Sequence, residues 1–269
     1  MGSPTAESTN LRAVPSLPLP LGALESLESN WHARHFRVCA LSCHEHAVQG
    51  DWFHAFTSED FAVFCLGDVS GHYLAANQLR QKMQSHCSQF QGEWQITQKC
   101  ELLPQIILRS LQKVFEEFCA ANPALLMTTL VCVANRKTRS LLFCNAGHPA
   151  PLLLRANERI EALLGCNDPL GLNLDQKFTT FEVPLRGNEF LFLYTDGLIE
   201  EQNNKGIPFG RRRMRRHLSQ RGLLNPSQWN RELLRHWQEF TATQTQVRDD
   251  ISFVAVDFLF HADRETKML

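Results

Sequence analysis

The sequence predicts an α+β protein in which two packed sheets are covered by helices. Runs that alternate polar and apolar residues, or stay apolar throughout, recur along the chain and read as strands with at least one buried face. Long amphipathic stretches with helical spacing lie between them. Acidic residues stand at the edges of the apolar runs: Asp51, Asp68, Asp196 and the pair Asp249 and Asp250. The bare pattern also allows a single open α+β sheet.

Residues 1–30 are rich in Ser, Pro, Thr and Glu and include Pro15, Pro18 and Pro20, the composition of a flexible or polyproline-like arm. Within it, residues 21–27 can close one or two helical turns. A single folded domain is expected over residues 31–262, with a short tail at 263–269. Residues 35–43 alternate Phe36, Val38 and Ala40 with Arg37, Cys39 and Leu41 and form the first expected strand. A turn at Gln49 and Gly50 follows, then a hairpin of residues 52–56 and 61–68 across 57–60. A helix starts at Ser70 and Gly71 and runs to about Phe90, with Leu74, Ala75, Leu79 and Met83 as its apolar positions. A second helix, 102–121, aligns Ile106, Ile107, Leu111, Val114, Phe115 and Phe118 on one stripe, and Pro104 suits its first turn.

Residues 125–135, 140–145 and 151–155 read as an antiparallel meander whose first turn is Lys137 and Thr138. Residues 178–183 and 190–195 read as strands paired across 184–188. A basic stretch follows at 209–217. Residues 226–241 form a helix, and 251–258 form the closing strand. No internal repeat is visible.

Composition bounds the function. Hydrophobic residues make up 43% of the chain and charged residues 20%, as in ordinary soluble globular proteins. The formal net charge of -1 supplies no global field for nucleic acid or membrane. The N-terminus lacks the basic and apolar regions of a signal peptide, and no apolar run approaches the ~20 residues of a span. Met1 and Gly2 do not continue into a myristoylation signal, because Ala6 occupies the position that needs Ser or Thr. A cytoplasmic protein is expected, with membrane contact only through a partner. The nine cysteines are odd in number and form no Cys-x-x-Cys. Cys39, Cys65, Cys132 and Cys144 lie in apolar runs and read as reduced core thiols. Cys39, Cys43, His44 and His46 are crowded, but their spacing matches no standard zinc pattern, and the segment reads as a strand with its exit turn.

Any one aspartate at a strand end is most simply a turn former or a cap. Several from distant parts of a chain can converge only if their repulsion is offset, and hard divalent cations with oxygen ligands offset it best. The aspartates therefore read jointly as an all-oxygen metal site. Asp250 keeps a structural reading, bonding locally or aiding its neighbour. Gly67, Gly71 and Gly197 serve backbone geometry. His72 and His148 can protonate a leaving group beside a phosphate, but orientation or packing is the simpler role for each. Arg211, Arg212, Arg213, Arg215 and Arg216 form either a solvated helix face or a docking surface for a phosphorylated or acidic partner. No aromatic residues interleave with them as nucleic-acid binding would favour.

The segments Gln49–Asp51, Gly67–His72 with Ala75 and Ala76, Met127–Leu130, Asn145–Pro149, Leu193–Glu201 and Arg248–Ser252 occur together in one order. In that order they resemble the metal-dependent protein phosphatases, the PPM or protein phosphatase 2C-like family, in its bacterial SpoIIE/RsbU-type branch. The resemblance spans roughly residues 35–258. It implies an α-β-β-α sandwich with the site at one end of the sheet pair and two divalent cations, Mn²⁺ or Mg²⁺. By the same resemblance Asp68 is the shared metal ligand that positions the attacking water, and the Val69 backbone carbonyl is a further ligand. Asp51 serves one metal, Asp196 and Asp249 the other, and the arginine cluster falls in the family's variable flap. No phospho-enzyme is formed.

The implied substrate is a phosphoserine or phosphothreonine protein, a STAS-domain anti-sigma factor antagonist of a partner-switching pathway. Regulation would come from a separate protein, from a homodimer or from expression level. Two other readings stand beside this one: a catalytically weak regulatory module that binds a phosphoprotein or anti-sigma factor, and a phosphatase for small phosphorylated metabolites. The chain departs from the family pattern at Gln49, at His54 where a further acid is usual, and at Tyr73 where glycine is usual. His54 is expected to lower metal affinity, and Tyr73 to narrow the entrance or shift the switch region at the start of the following helix.

Overall fold

Val, Leu, Phe and Cys fill the strand runs so densely that central strands must be covered on both faces, which stacked layers satisfy. The computed structural model describes residues 10–13, 25–44, 49–71, 74–97, 103–121, 125–172, 175–242 and 248–260. In chain order they form β1 (Asn10–Ala13), β2 (Glu25–Ala33), β3 (Phe36–His44), β4 (Trp52–Thr57), β5 (Phe61–Val69), α1 (Leu74–Thr97) and α2 (Pro104–Cys119). There follow β6 (Met127–Asn135), β7 (Ser140–Ala146), β8 (Leu152–Leu154), β9 (Ile160–Ala162), β10 (Phe181–Pro184) and β11 (Glu189–Tyr194). The last are α3 (Gly197–Glu200), α4 (Gly210–Ser219), α5 (Pro226–Thr241) and β12 (Ile251–Phe258). Among the described residues, no helix is long and apolar enough to cross a membrane.

One sheet runs β1-β2-β3-β12-β11-β8-β9 and the other β10-β7-β6-β5-β4. Phe36, Val38, Phe64, Leu130, Phe143, Leu191, Val254 and Phe258 fill the layer between them. Helices α1 and α2 cover the outer face of the five-stranded sheet through Leu79, Met83, Ile107, Leu111 and Phe115. Helices α4 and α5 cover the seven-stranded sheet through Met214, Leu218, Trp229, Leu233 and Trp237. Each fully buried Leu or Phe contributes roughly 1.5–3 kcal/mol by leaving water, so the three apolar layers drive the assembly. This is the expected α-β-β-α sandwich, and the open single sheet is excluded.

Several expectations are corrected. Residues 25–30 belong to β2 rather than to an arm, and residues 25–27 are strand rather than helical turn. Glu28 explains the docking of β2: its carboxylate, 1% exposed, accepts from Arg231 Nε at 2.9 Å and Ser227 Oγ at 2.5 Å on α5. Residues 10–13 also form a strand. Residues 1–9, 14–24 and the tail 263–269 lie outside the described residues. On α1 the buried stripe is Ala76, Leu79, Met83 and Cys87, while Leu74 is exposed. On α2 the stripe includes Leu108, and Ile106 faces outward.

Two expected pairings fail because the chain changes layers between the strands. β8 pairs with β11 in the other sheet instead of extending a meander from β7. The crossing is the corner 145–149, where Asn145 Nδ2 donates to the His148 carbonyl and Asn145 Oδ1 accepts from the His148 amide. Gly147 takes φ 72° there, against the Pro169 ring. β10 and β11 do not form a hairpin either; β10 pairs with β7, and β11 lies between β8 and β12. The Leu185 amide is held by Arg139 of one layer and the Asn188 amide by Phe258 of the other. Buried Glu189 ties this crossing by accepting from the Arg186 and Gly187 amides and from Arg155.

Candidate metal centre

Antiparallel pairing puts the start of one strand beside the end of the next. Trp52 pairs with Gly67, so Asp51 and Asp68 meet at one end of the β4–β5 pair. Tyr194 pairs with Phe253, so Asp196 and the pair Asp249 and Asp250 meet at one end of β11–β12. Two hydrogen bonds stitch these sheet ends together. The Gly50 amide donates to Asp250 Oδ2 at 2.7 Å, and Thr195 Oγ1 donates to Asp51 Oδ2 at 2.8 Å. The Asp51 amide also donates to Asp250 Oδ2 at 3.4 Å. Asp250 thus anchors the loop that carries Asp51.

Glycines permit this closeness. A Cβ on Gly50 would lie 2.5 Å from the Val69 carbonyl oxygen and 3.2 Å from Asp68 Oδ1. A Cβ on Gly197 would collide with the Asp250 carbonyl, and one on Gly67 with the Trp52 ring. Gly71 ends the β5 turn at φ 88°, a conformation that L side chains rarely adopt.

The carboxylates act on one another. Burial pushes the Asp51 carboxyl well above the usual carboxylate range, and Asp68 and Asp250 push it further, while Thr195 and Ser252 pull it back. Asp68 is pushed up to about 7, by burial first and then by Asp196, Asp249 and Asp250. All five carboxylates therefore share one electrostatic crevice, and their oxygens are the donor set that hard divalent cations take. Among the described residues, no three His, Cys, Asp or Glu side chains close into a ready-made shell around one ion.

Thr195 and Ser252 are parts of this site that sequence reasoning missed. The Thr195 hydroxyl is fully buried and also accepts from the Ser252 amide at 2.9 Å. Only the step from Thr195 to Asp196 in sequence hinted at it; its bond to Asp51 spans 144 positions. Thr195→Val should cost roughly 1–3 kcal/mol, since it leaves a buried amide unpaired and frees the Asp51 carboxylate. Urea denaturation of the metal-free protein checks this, and an unchanged midpoint would contradict it.

Other expected residues fall as follows. His148 is buried behind the crevice, with Nδ1 2.9 Å from Thr128 Oγ1, and Thr128 lies opposite Asp68 in the β5–β6 register. Burial pushes its imidazole down to about 3, which favours the neutral ring. His72 and Tyr73 lie outside the described residues. His54 on β4 bonds through Nε2 to Gln91 Oε1 of α1 at 3.0 Å, and burial lowers its pKa.

The arginine cluster forms α4, which follows α3 and hence Asp196. Arg213 lies over the Phe240 ring at 4.4 Å, and Arg215 donates to the Ile160 carbonyl at 3.2 Å. Arg211, Arg212 and Arg216 are also exposed. Buried Cys43 has its thiol pushed up to about 12 by burial, which opposes the thiolate a zinc site needs. The His44 side chain and His46 lie outside the described residues.

Residues 58–259 match the family model described as Stage II sporulation protein E (SpoIIE). The chain belongs to the SpoIIE family. Solved structures agree on the fold. The SiaA-PP2C domain of Pseudomonas aeruginosa is 20% identical with a TM-score of 0.70, over 82% of this chain and 85% of that one. The RsbU and RsbW domains of a Mycobacterium tuberculosis protein are 22% identical with a TM-score of 0.61, over 81% of this chain and 58% of that one. The catalytic domain of the serine/threonine protein phosphatase PstP, in complex with two manganese ions, is 12% identical with a TM-score of 0.61, over 84% of this chain and 99% of that one. At such identities the likeness establishes the phosphatase fold of this SpoIIE-family chain.

Proposed function

We propose that the chain is a Mn²⁺- or Mg²⁺-dependent phosphoserine/phosphothreonine protein phosphatase. The observation that carries this reading is the convergence of Asp51, Asp68, Asp196 and Asp249 from separate strand ends on one crevice. The PstP structure with two manganese ions supports the choice of cation. Asp68, central to the acidic group, is the shared ligand; Asp51 serves one cation, Asp196 and Asp249 the other, and the Val69 carbonyl beside Gly50 is a further donor. The cations would supply a water of lowered pKa and charge stabilisation for an in-line displacement at phosphorus. The chain itself orients Asp51 through Thr195, fixes the Asp51 loop through Asp250 and spaces the Asp68 strand through Thr128 and His148.

The substrate is a phosphorylated protein of the STAS type, met in the cytoplasm. Membership of the SpoIIE family and the likeness to a protein with RsbU and RsbW domains support this choice. Arg211, Arg212 and Arg216, exposed on the helix after Asp196, suit an acidic or phosphorylated surface. A separate regulatory protein or self-association sets the activity.

Hydrolysis of p-nitrophenyl phosphate and of a phosphorylated STAS protein in Mn²⁺ tests the reading. Turnover that Asp196→Asn removes, with the fold intact by circular dichroism, is expected. Turnover of the small phosphate alone would favour a metabolite phosphatase. No turnover of either, with the phosphoprotein still bound, would favour a regulatory module.

A further inference from the structure

The turn after Asp196 holds the loop that carries Asp249, and a buried carboxylate makes the outer hold. Helix α3 is a single turn, Gly197–Glu200, and Asp196 precedes it. Its first residue lies against that loop. A Cβ on Gly197 would collide with the Asp250 carbonyl and come within 3.3 Å of Asp249 Cβ. The residue after its last is Glu201, only 4% exposed. Glu201 Oε2 accepts from the Arg248 amide at 2.9 Å, across 47 positions of chain, and Oε1 accepts from the Gln202 amide at 3.2 Å. At the inner end the Thr195 amide donates to the Ser252 carbonyl at 2.9 Å. Residues 248–252 are thus tied to residues 195–201 at both ends, with Asp196 and Asp249 between the ties.

Glu201 is itself fixed by its backbone. Its amide donates to the Gly197 carbonyl at 3.3 Å, and its carbonyl accepts from the Phe209 amide at 2.8 Å. Phe209 is buried in the apolar layer beneath α4 and α5. Burying a carboxylate is costly unless it is hydrogen-bonded, and amides that face one make the stronger class of hydrogen bond. The hold passes to the Asp249 side chain as well, because Asp249 Oδ1 accepts from the Asp250 amide of the same loop at 2.9 Å.

We propose that Glu201 is the positioning residue for Asp249, fixing the backbone that enters it so that the Asp249 and Asp196 carboxylates face one cation. This rests on the metal-site reading above and deepens it. Glu201 touches neither cation nor substrate in this role. A ligand on a wandering loop must be ordered each time an ion binds, and that ordering weakens binding. Residues that orient metal ligands carry roughly 10–100-fold in affinity.

Glu201→Ala removes the acceptor; Glu201→Gln keeps one oxygen for the Arg248 amide. Two readouts are needed. One is hydrogen exchange of the Arg248 and Asp250 amides in EDTA, followed by NMR, and the other is the dissociation constant for Mn²⁺ alone by titration calorimetry. Glu201→Ala should speed exchange at both amides roughly tenfold or more, the scale of one charge-assisted hydrogen bond, and by more than at the amides of β6. It should weaken Mn²⁺ binding about tenfold or more. Glu201→Gln should recover most of both.

Parent-like exchange at Arg248 in Glu201→Ala would overturn the proposal. So would faster exchange with parent-like Mn²⁺ affinity, which would mark a structural tie alone. Failure of Glu201→Gln to recover either value would assign the effect to charge instead of the hydrogen bond and overturn it too. If the parent binds no Mn²⁺, the metal reading itself fails, and exchange in EDTA still decides whether Glu201 restrains the Asp249 loop. Should Glu201→Ala not fold, Glu201→Met, which fills the space without an acceptor oxygen, carries the same comparison.

Discussion

Asp68→Asn should abolish phosphatase activity while leaving the fold in place. Among residues that merely support a metal ligand, substitution costs roughly 10–100-fold; loss of the ligand that both cations share should exceed that. The fold should survive for an electrostatic reason. Asp68 is pushed up to about 7 by burial and by Asp196, Asp249 and Asp250, so its charge opposes folding in the metal-free protein. The neutral amide removes that opposition. Asp68→Asn should therefore melt at or above the parent temperature in EDTA and lose the response to Mn²⁺. Initial rates with p-nitrophenyl phosphate and paired melting curves check both halves, and activity within tenfold of the parent would dismiss Asp68 as the shared ligand.

The second large effect is the joint dependence of stability on pH and divalent ions. A carboxyl raised in the folded state to about 7 from its ordinary value of 3.8 holds its proton longer folded than unfolded. Between those values the folded chain binds more protons than the unfolded one, so stability falls as pH rises. Below about 4 the group contributes nothing; above about 7 its penalty is complete. Asp51, raised in the same direction, adds to the trend, and the cluster titrates as a coupled set. The metal-free protein should accordingly lose several degrees of melting temperature between pH 5 and pH 8. Mn²⁺ binds the ionised form, so its stabilisation should grow over that interval. At one hundred times its dissociation constant an ion adds about 2.7 kcal/mol, or roughly 5–10 °C for a chain of this size. Differential scanning fluorimetry across pH, with EDTA or Mn²⁺, measures this; flat curves in both would remove the basis for a buried acidic centre.

Legibility along the chain tracked how local each determinant is. The helix over 226–241 was readable because Pro226 starts it and a stripe with Trp229, Leu233 and Trp237 defines its face; Asn225 and Gln228 complete its capping box. The hairpin of β4 and β5 was readable from its short turn. The pairings of β8 with β11 and of β10 with β7 were not, because the corners at Gly147 and Gly187 carry the chain from one sheet to the other, and periodicity carries no record of which layer a strand joins. The docking of β2 was hidden for a similar reason: it depends on Glu28 meeting Arg231, 203 positions away.

The sequence by itself determined the strand and helix runs, the reduced core cysteines and the carboxylates at strand ends, because each follows from nearest-neighbour spacing and side-chain type. Only the tertiary structure decided that Asp250 holds the Gly50 corner, that Thr195 restrains Asp51 and that His148 is buried against Thr128. Those roles come from distance and desolvation between segments far apart in the chain, and charge acts through space rather than along the backbone.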